Sequence, residues 1–339
     1  MPNRNQYIDY AKGITIILVI IPHCIQYGAG EYYLNESLFY DNPIFKFIYS
    51  FHMPVFMIIS GYLFNYSITR HSFNNIIKSR ITTLLIPILL WHTIYVIIQN
   101  YVDGNHSDFY WSSYIKHLWF IWAVLWNSFV ILFVHKFTND SLVVYLIIFI
   151  IFLFLPHRYN SNYYVFMYPY FLCGYLMNNP SLKIINKIHT KLSTPYGLII
   201  LTTIFLIMLE IFSHEDFVYV SKTNIFLGGH ISLHMLYIDL YRWIIGFIGS
   251  FLFYKTTHYC YHYFYEKPIN THLINIGTKT MGIYIISDYS FRFFYLLPIN
   301  SLNYLYILIE TICILGISYY TTWIIDRNYY LRKVLLGGR

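Results

Sequence analysis

The stretch YIDYAKGITIILVIIPHC (residues 7–24) decides how the rest of the chain is read. From Ile14 to Ile21 every residue but Thr15 is apolar. A helix needs about 20 such residues to cross the hydrocarbon of a bilayer. Working outward, comparable runs recur near residues 44–64, 82–101, 118–135, 141–156, 163–178, 195–213, 235–254, 272–297 and 302–325, which makes ten candidate spans. Composition agrees: the 339 residues are 57% apolar and 22% aromatic but only 11% charged, with a mean hydropathy of +0.49. Soluble domains carry roughly 25% charged residues. Disorder, a soluble globular enzyme and a secreted disulfide scaffold are thereby excluded. The expected fold is all-α, a polytopic membrane protein of about ten transmembrane helices in a single membrane-embedded domain over residues 1–339.

Charge placement gives an orientation. With the N-terminus in the cytoplasm, 15 of the 22 basic residues fall on the inner side and four on the outer, among them Lys116 and Arg158, while Arg242, Lys279 and Arg292 fall within spans. This asymmetry follows the positive-inside rule and puts both termini in the cytoplasm. The net charge of +7 is then a topogenic signal, and with no basic helix or stacking platform beside it, no nucleic-acid partner is expected. Glu31 and Glu36 follow the first run where a signal peptide has its small-residue cleavage site, so that run is expected to stay as a span. Cys24, Cys173, Cys260 and Cys313 have neither CxxC pairing nor zinc spacing and read as packing thiols. Tyr7, Tyr49, Tyr62, Trp91, Trp111, Trp119 and Trp323 lie near span ends, the usual place of interfacial anchors.

Ionisable groups inside spans are costly, so each needs a partner or a task. Asp239 and Arg242 stand at i and i+3, and Asp288 and Arg292 at i and i+4, on one helix face in each case. Glu210, Lys279 and Glu310 have no partner within a turn and either pair between helices or line a wet cavity. Lys12 and His23 are eleven residues apart, which places them on one face about 16 Å apart along the axis. Pro22 withholds a backbone donor beside His23 and favours a kink there. An intramembrane histidine is either hydrogen-bonded glue or a functional group. In FHMPVFMIISGYLF (51–64), the small Ser60-Gly61 step permits close helix approach or entry of a ligand arm.

Taken together, these segments resemble acyltransferase family 3, integral-membrane acyltransferases that modify sugars, with the fucose 4-O-acetylase-like branch nearest. Asp9, Lys12, Gly13 and His23 match the family's opening, in which a basic residue is followed after ten others by His. FHMPVFMIISGYLF matches the second-span signature, LLIPILLW (84–91) the third, HLWFIWAVL (117–125) the fourth and IGTKTMGIYII (276–286) the penultimate span. Two positions depart: Thr83 stands where many members have a second basic residue after Arg80, and Ser287 where many have a further His.

The resemblance implies transfer of an acyl group, most often acetyl from acetyl-CoA, to a sugar hydroxyl of a cell-surface polysaccharide or its lipid-linked precursor. It makes His23 the catalytic candidate, as general base or as covalent acyl carrier. Lys12 and Arg80, with Lys78 third, are candidates for the donor's phosphates, and His52, Ser60, Tyr62 and Trp119 for lining the site. Acyl-CoA, a glycan or lipid-linked saccharide and membrane lipids are the implied partners. No permanently bound cofactor and no metal site is implied, and the expected location is a bacterial inner membrane. A transporter or flippase, with Asp239, Arg242, Asp288 and Arg292 lining its pathway, is the rival from another class. A scaffold or sensor without chemistry is the third reading.

Overall fold

In lipid a backbone has no water to bond, so apolar runs satisfy their own amides as helices. A computed structural model of the chain describes residues 5–103, 117–154, 161–177, 190–223, 225–227, 230–295 and 302–338. Trp111, Lys116, Arg158 and the side chain of Arg292 lie outside the described residues, so the expected Asp288–Arg292 pair does too. The helices are α1 (Gln6–Tyr27), α2 (Glu31–Asn35), α3 (Pro43–Tyr49), α4 (His52–Arg70), α5 (Phe73–Arg80), α6 (Ile86–Asp103), α7 (Trp119–Thr138), α8 (Leu142–Phe154) and α9 (Ser161–Leu176). They continue with α10 (Pro195–Ile211), α11 (Val218–Ser221), α12 (Leu233–Tyr263), α13 (Pro268–Thr278), α14 (Thr280–Tyr295), α15 (Tyr304–Arg327) and α16 (Tyr329–Leu335). One antiparallel ladder pairs Phe226 with Ile231 and Leu227 with His230.

Within the described residues, each of the ten expected spans coincides largely with helix. Among the described residues, six stretches are long and apolar enough to cross a bilayer, and α8 and α10 are shorter apolar helices. The fold is that of an all-α polytopic membrane protein. Two expected spans are broken. Residues 44–64 divide between α3 and α4 at Ser50–Phe51, after an entry at which the Asn42 side chain accepts from the amides of Ile44 and Phe45 at 3.0 and 3.1 Å and Pro43 opens the helix. Residues 272–297 divide at Lys279, whose backbone leaves helical geometry and whose ammonium pairs with Asp326 on α15 at 2.8 Å. Helix α1 runs on through Pro22.

The chain forms two compact units, each assembled from separated segments. The first comprises Met1–Phe56, Ile184–His214 and Ile244–Arg327. Its centre is α1, packed on α13, α14 and α15. Close approach depends on Gly13 and Gly277: a Cβ at Gly13 would collide with the Leu273 carbonyl, and one at Gly277 with that of Asp9. Ile16, Ile20, Ile25, Ile283 and Ile314 fill the space between. Helix α10 buries Phe205 against Phe47 and Phe51 and leaves Ile199 and Ile207 exposed, as a lipid-facing helix should.

The second unit comprises Met57–Lys183, Glu215–Trp243 and Asn328–Arg339. Here α7 packs on α9, with Asn127 donating to the Tyr164 carbonyl at 3.3 Å. Gly61 on α4 and Gly174 on α9 are apposed; a Cβ on the first would strike the Phe171 carbonyl, and on the second that of Ile58. Gly61 is therefore committed to helix contact. Arg242 is 3% exposed and pairs with Asp239 at 3.0 Å, the spacing expected on one helix face. It also donates to the carbonyls of Asp216 at 2.9 Å and Glu215 at 2.7 Å and contacts the Ser221 hydroxyl, tying the 215–222 segment to α12.

Candidate active site

In the first unit, Asp9 and Lys12 stand one turn apart at the start of α1 and form an ion pair of 3.2 Å. The Lys12 side chain is 17% exposed and its ammonium already has a carboxylate partner. Further along the helix, the His23 ring packs against Phe291, with centroids 4.9 Å apart, and lies nearly parallel to Tyr27 at 6.1 Å. The Nδ1 atom of His23 is buried and has no hydrogen-bond partner among the described residues. Gln26 and Asp288 are its polar neighbours. A buried ring nitrogen without a partner costs free energy, because desolvation is not offset by a bond.

His52 opens α4 and is buried among aromatic rings, with Tyr49 at 5.9 Å. Its Nδ1 donates to the Ile48 carbonyl at 2.8 Å. A carbonyl only accepts, so this bond fixes the proton on Nδ1 and leaves Nε2 as an acceptor. The two imidazoles are close enough to interact electrostatically. Ser287, where a further His was looked for, spends its hydroxyl on the Tyr284 carbonyl at 3.0 Å.

Glu310 was read only as an unpartnered charge, and the structure gives it a sharper place. On α15 it is 3% exposed, and neither carboxyl oxygen has a hydrogen-bond partner among the described residues. Its carboxyl lies against Gly28 at the end of α1, where any Cβ would collide with it. The sequence signal was an ionisable residue inside a span with no opposite charge one turn away.

In the second unit, α5 ends in Lys78 and Arg80, and a π-helical turn (Ile81–Leu85) leads into α6. Lys78 is exposed; Arg80 is buried, its guanidinium 4.5 Å from the centre of the Phe64 ring. Both line one cavity of about 660 Å³. Ser60 is half-buried beside Gly61, and Tyr62 shares a 2.9 Å hydrogen bond with Tyr66. Trp119 opens α7 after Leu118, which has a φ of 53°, and joins Tyr163 and Tyr219 at 5.2 and 6.2 Å. The structure thus brings His23 together with His52 in one unit and Lys78 together with Arg80 in the other, while Lys12 is engaged by Asp9.

Comparisons with known proteins bear on this arrangement. The chain is 41% identical over 128 residues to the nodulation protein NolL of Mesorhizobium japonicum, a match covering 36% of this chain and 33% of that protein. It is 39% identical over 130 residues to NolL of Sinorhizobium fredii, covering 36% and 34%. The chain thus spans about a third of the length of the curated relatives it matches. No solved structure matches. A family model described as an acyltransferase domain matches residues 5–327, nearly the whole chain, which therefore belongs to acyltransferase family 3.

Proposed function

We propose that this membrane acyltransferase moves an acetyl group from acetyl-CoA to a sugar hydroxyl of a surface polysaccharide or its lipid-linked precursor, and that His23 carries the chemistry. The observation that supports this most is the buried Nδ1 of His23, which has no hydrogen-bond partner among the described residues, in a chain whose family transfers acyl groups. A sugar hydroxyl is a weak nucleophile near neutral pH, and a base within hydrogen-bond reach of the oxygen removes that obstacle. In this reading the imidazole takes the hydroxyl proton as the oxygen attacks the thioester carbonyl. The carbon–sulfur bond then breaks, and the imidazolium returns its proton to the departing thiolate. A covalent route uses the same residue: the ring nitrogen attacks the thioester carbonyl and the carbon–sulfur bond breaks to release the thiolate, after which the sugar oxygen attacks the acyl-imidazole, the nitrogen–acyl bond breaks and the hydroxyl proton passes to the freed imidazole. Lys78 and Arg80 are assigned to the donor's phosphates, and His52, Ser60, Tyr62 and Trp119 to the lining. Lys12, paired with Asp9, is assigned to holding the first turn of α1 with a lesser share in donor binding.

The transporter reading draws less support. Its pathway needs Asp239 and Arg242 available, and Arg242 is held by a carboxylate, backbone carbonyls and a hydroxyl in its own unit. Purified protein with radiolabelled acetyl-CoA and an oligosaccharide fraction separates the two. We expect label in the glycan and free CoA as the second product. An intact thioester with saccharide moved across a vesicle membrane would overturn the proposal.

A further inference from the structure

Beyond residue 327, where the family match ends, the chain does not trail away. Asn328 caps α16, its side chain accepting from the amides of Tyr330 and Leu331 at 3.0 and 3.1 Å. The helix packs on α6, and the Trp91 indole donates to the Leu335 carbonyl at 2.9 Å. The chain then turns through Gly337 and Gly338, with φ values of 66° and 75°. Gly337 lies so close to the Thr83 backbone that any side chain there would collide with it. The hold on the π-helical turn is therefore both polar and steric.

This folding back has an electrostatic result. Arg332 and Lys333 reach the wall of the cavity lined by Lys78 and Arg80. His71 lines it as well, and no Asp or Glu among the described residues does. Four fixed cations around one cavity repel one another and are stabilised by an anion among them. Arg332 stacks on Tyr329 at 5.9 Å, and its Nε is buried without a hydrogen-bond partner among the described residues. A volume of about 660 Å³ is within the usual range of small-ligand pockets.

We propose that the C-terminal helix completes a phosphate-binding pocket, in which Arg332 and Lys333 act with Lys78 and Arg80 on a phosphate-bearing ligand. Resting on the acyltransferase reading, that ligand is the nucleotide part of the acyl-CoA donor. Thr83, where a cation is common in the family, is covered by Gly337, and the charge is supplied from α16 instead.

The test is binding of coenzyme A, without turnover, to full-length protein in zwitterionic nanodiscs. We expect Lys333→Gln to weaken binding about tenfold and Arg332→Gln by at least as much, as loss of a charge-assisted contact does. Binding should also fall steeply with salt. Lys333 is exposed, so its variant carries the test if Arg332→Gln fails to fold. Coenzyme A bound equally well by wild type and Lys333→Gln would overturn the pocket and leave the acyltransferase reading standing. If wild type ignores coenzyme A but takes up phosphatidylglycerol in a Lys333-dependent way, the pocket stands as a lipid-phosphate site and the donor reading fails.

Discussion

Two buried polar centres on different units teach opposite lessons. Around Arg242, the guanidinium is held on several sides, by Asp239 Oδ1 on its own helix, the carbonyls of Glu215 and Asp216, and the Ser221 hydroxyl, and only Asp239 Oδ2 lacks a bond among the described residues. Around α1, the Nδ1 of His23 and both oxygens of Glu310 are buried with no bond among the described residues. A satisfied knot holds the fold, since removing one partner strands another charge in a medium of low dielectric. A buried group without a bond weakens the fold, and beside a place where a ligand can sit it is a candidate for acting on that ligand. Stability and activity should therefore come apart between the two centres.

The largest effect is expected at the unsatisfied centre, in activity. His23→Ala should lower acyl transfer by about 100- to 10,000-fold, the range for a positioned base, while its thermal midpoint stays near that of wild type. Transfer rate and melting measured on one preparation check both halves. At the satisfied centre the pattern inverts. Arg242→Met should cost about 3–5 kcal/mol, read as loss of folded yield and a lowered melting temperature in detergent, and adding Asp239→Asn should recover part of it. Gly61→Val probes neither centre but the backbone approach of α4 to α9, where Phe171 and Tyr175 must give way; a loss of about 1–3 kcal/mol is expected. The smallest change should be Glu310→Gln, an isosteric swap at a buried carboxyl that none of the described residues bonds. Stability should move by less than about 1 kcal/mol or rise. A large drop in that variant would mean that the carboxylate is paired in the membrane.

Much of this contrast is legible in the sequence wherever the interacting groups sit on one helix. Asp239 and Arg242 announce their pairing by spacing; Asp9 and Lys12 share that spacing, but the family resemblance points Lys12 at the donor's phosphates and away from Asp9. Gly61 announces a close approach because no other residue leaves such room in an apolar run. The apolar runs themselves mark every described long helix. Partners that come from other helices are not legible. Spacing alone leaves Lys279 between an interhelical pair and a wet cavity, and only the packing of α14 on α15 supplies Asp326. Glu310 carries the same ambiguity and has no hydrogen-bond partner among the described residues. The break at Lys279 was hidden for a related reason: hydropathy averages over 20 residues and does not register a single residue leaving helical geometry. The return of α16 onto the π-helical turn rests on an indole, two left-handed glycines and a cap, none of which has a periodic signature.

The central claim is that the imidazole of His23 performs an acylation of glycan. Mass spectrometry of surface polysaccharides tests it most directly, on cells carrying the wild-type gene, the His23→Ala gene at equal protein level, or neither. The account predicts an added acyl mass on the repeat unit with wild type alone. The same acyl mass in the His23→Ala cells would contradict it.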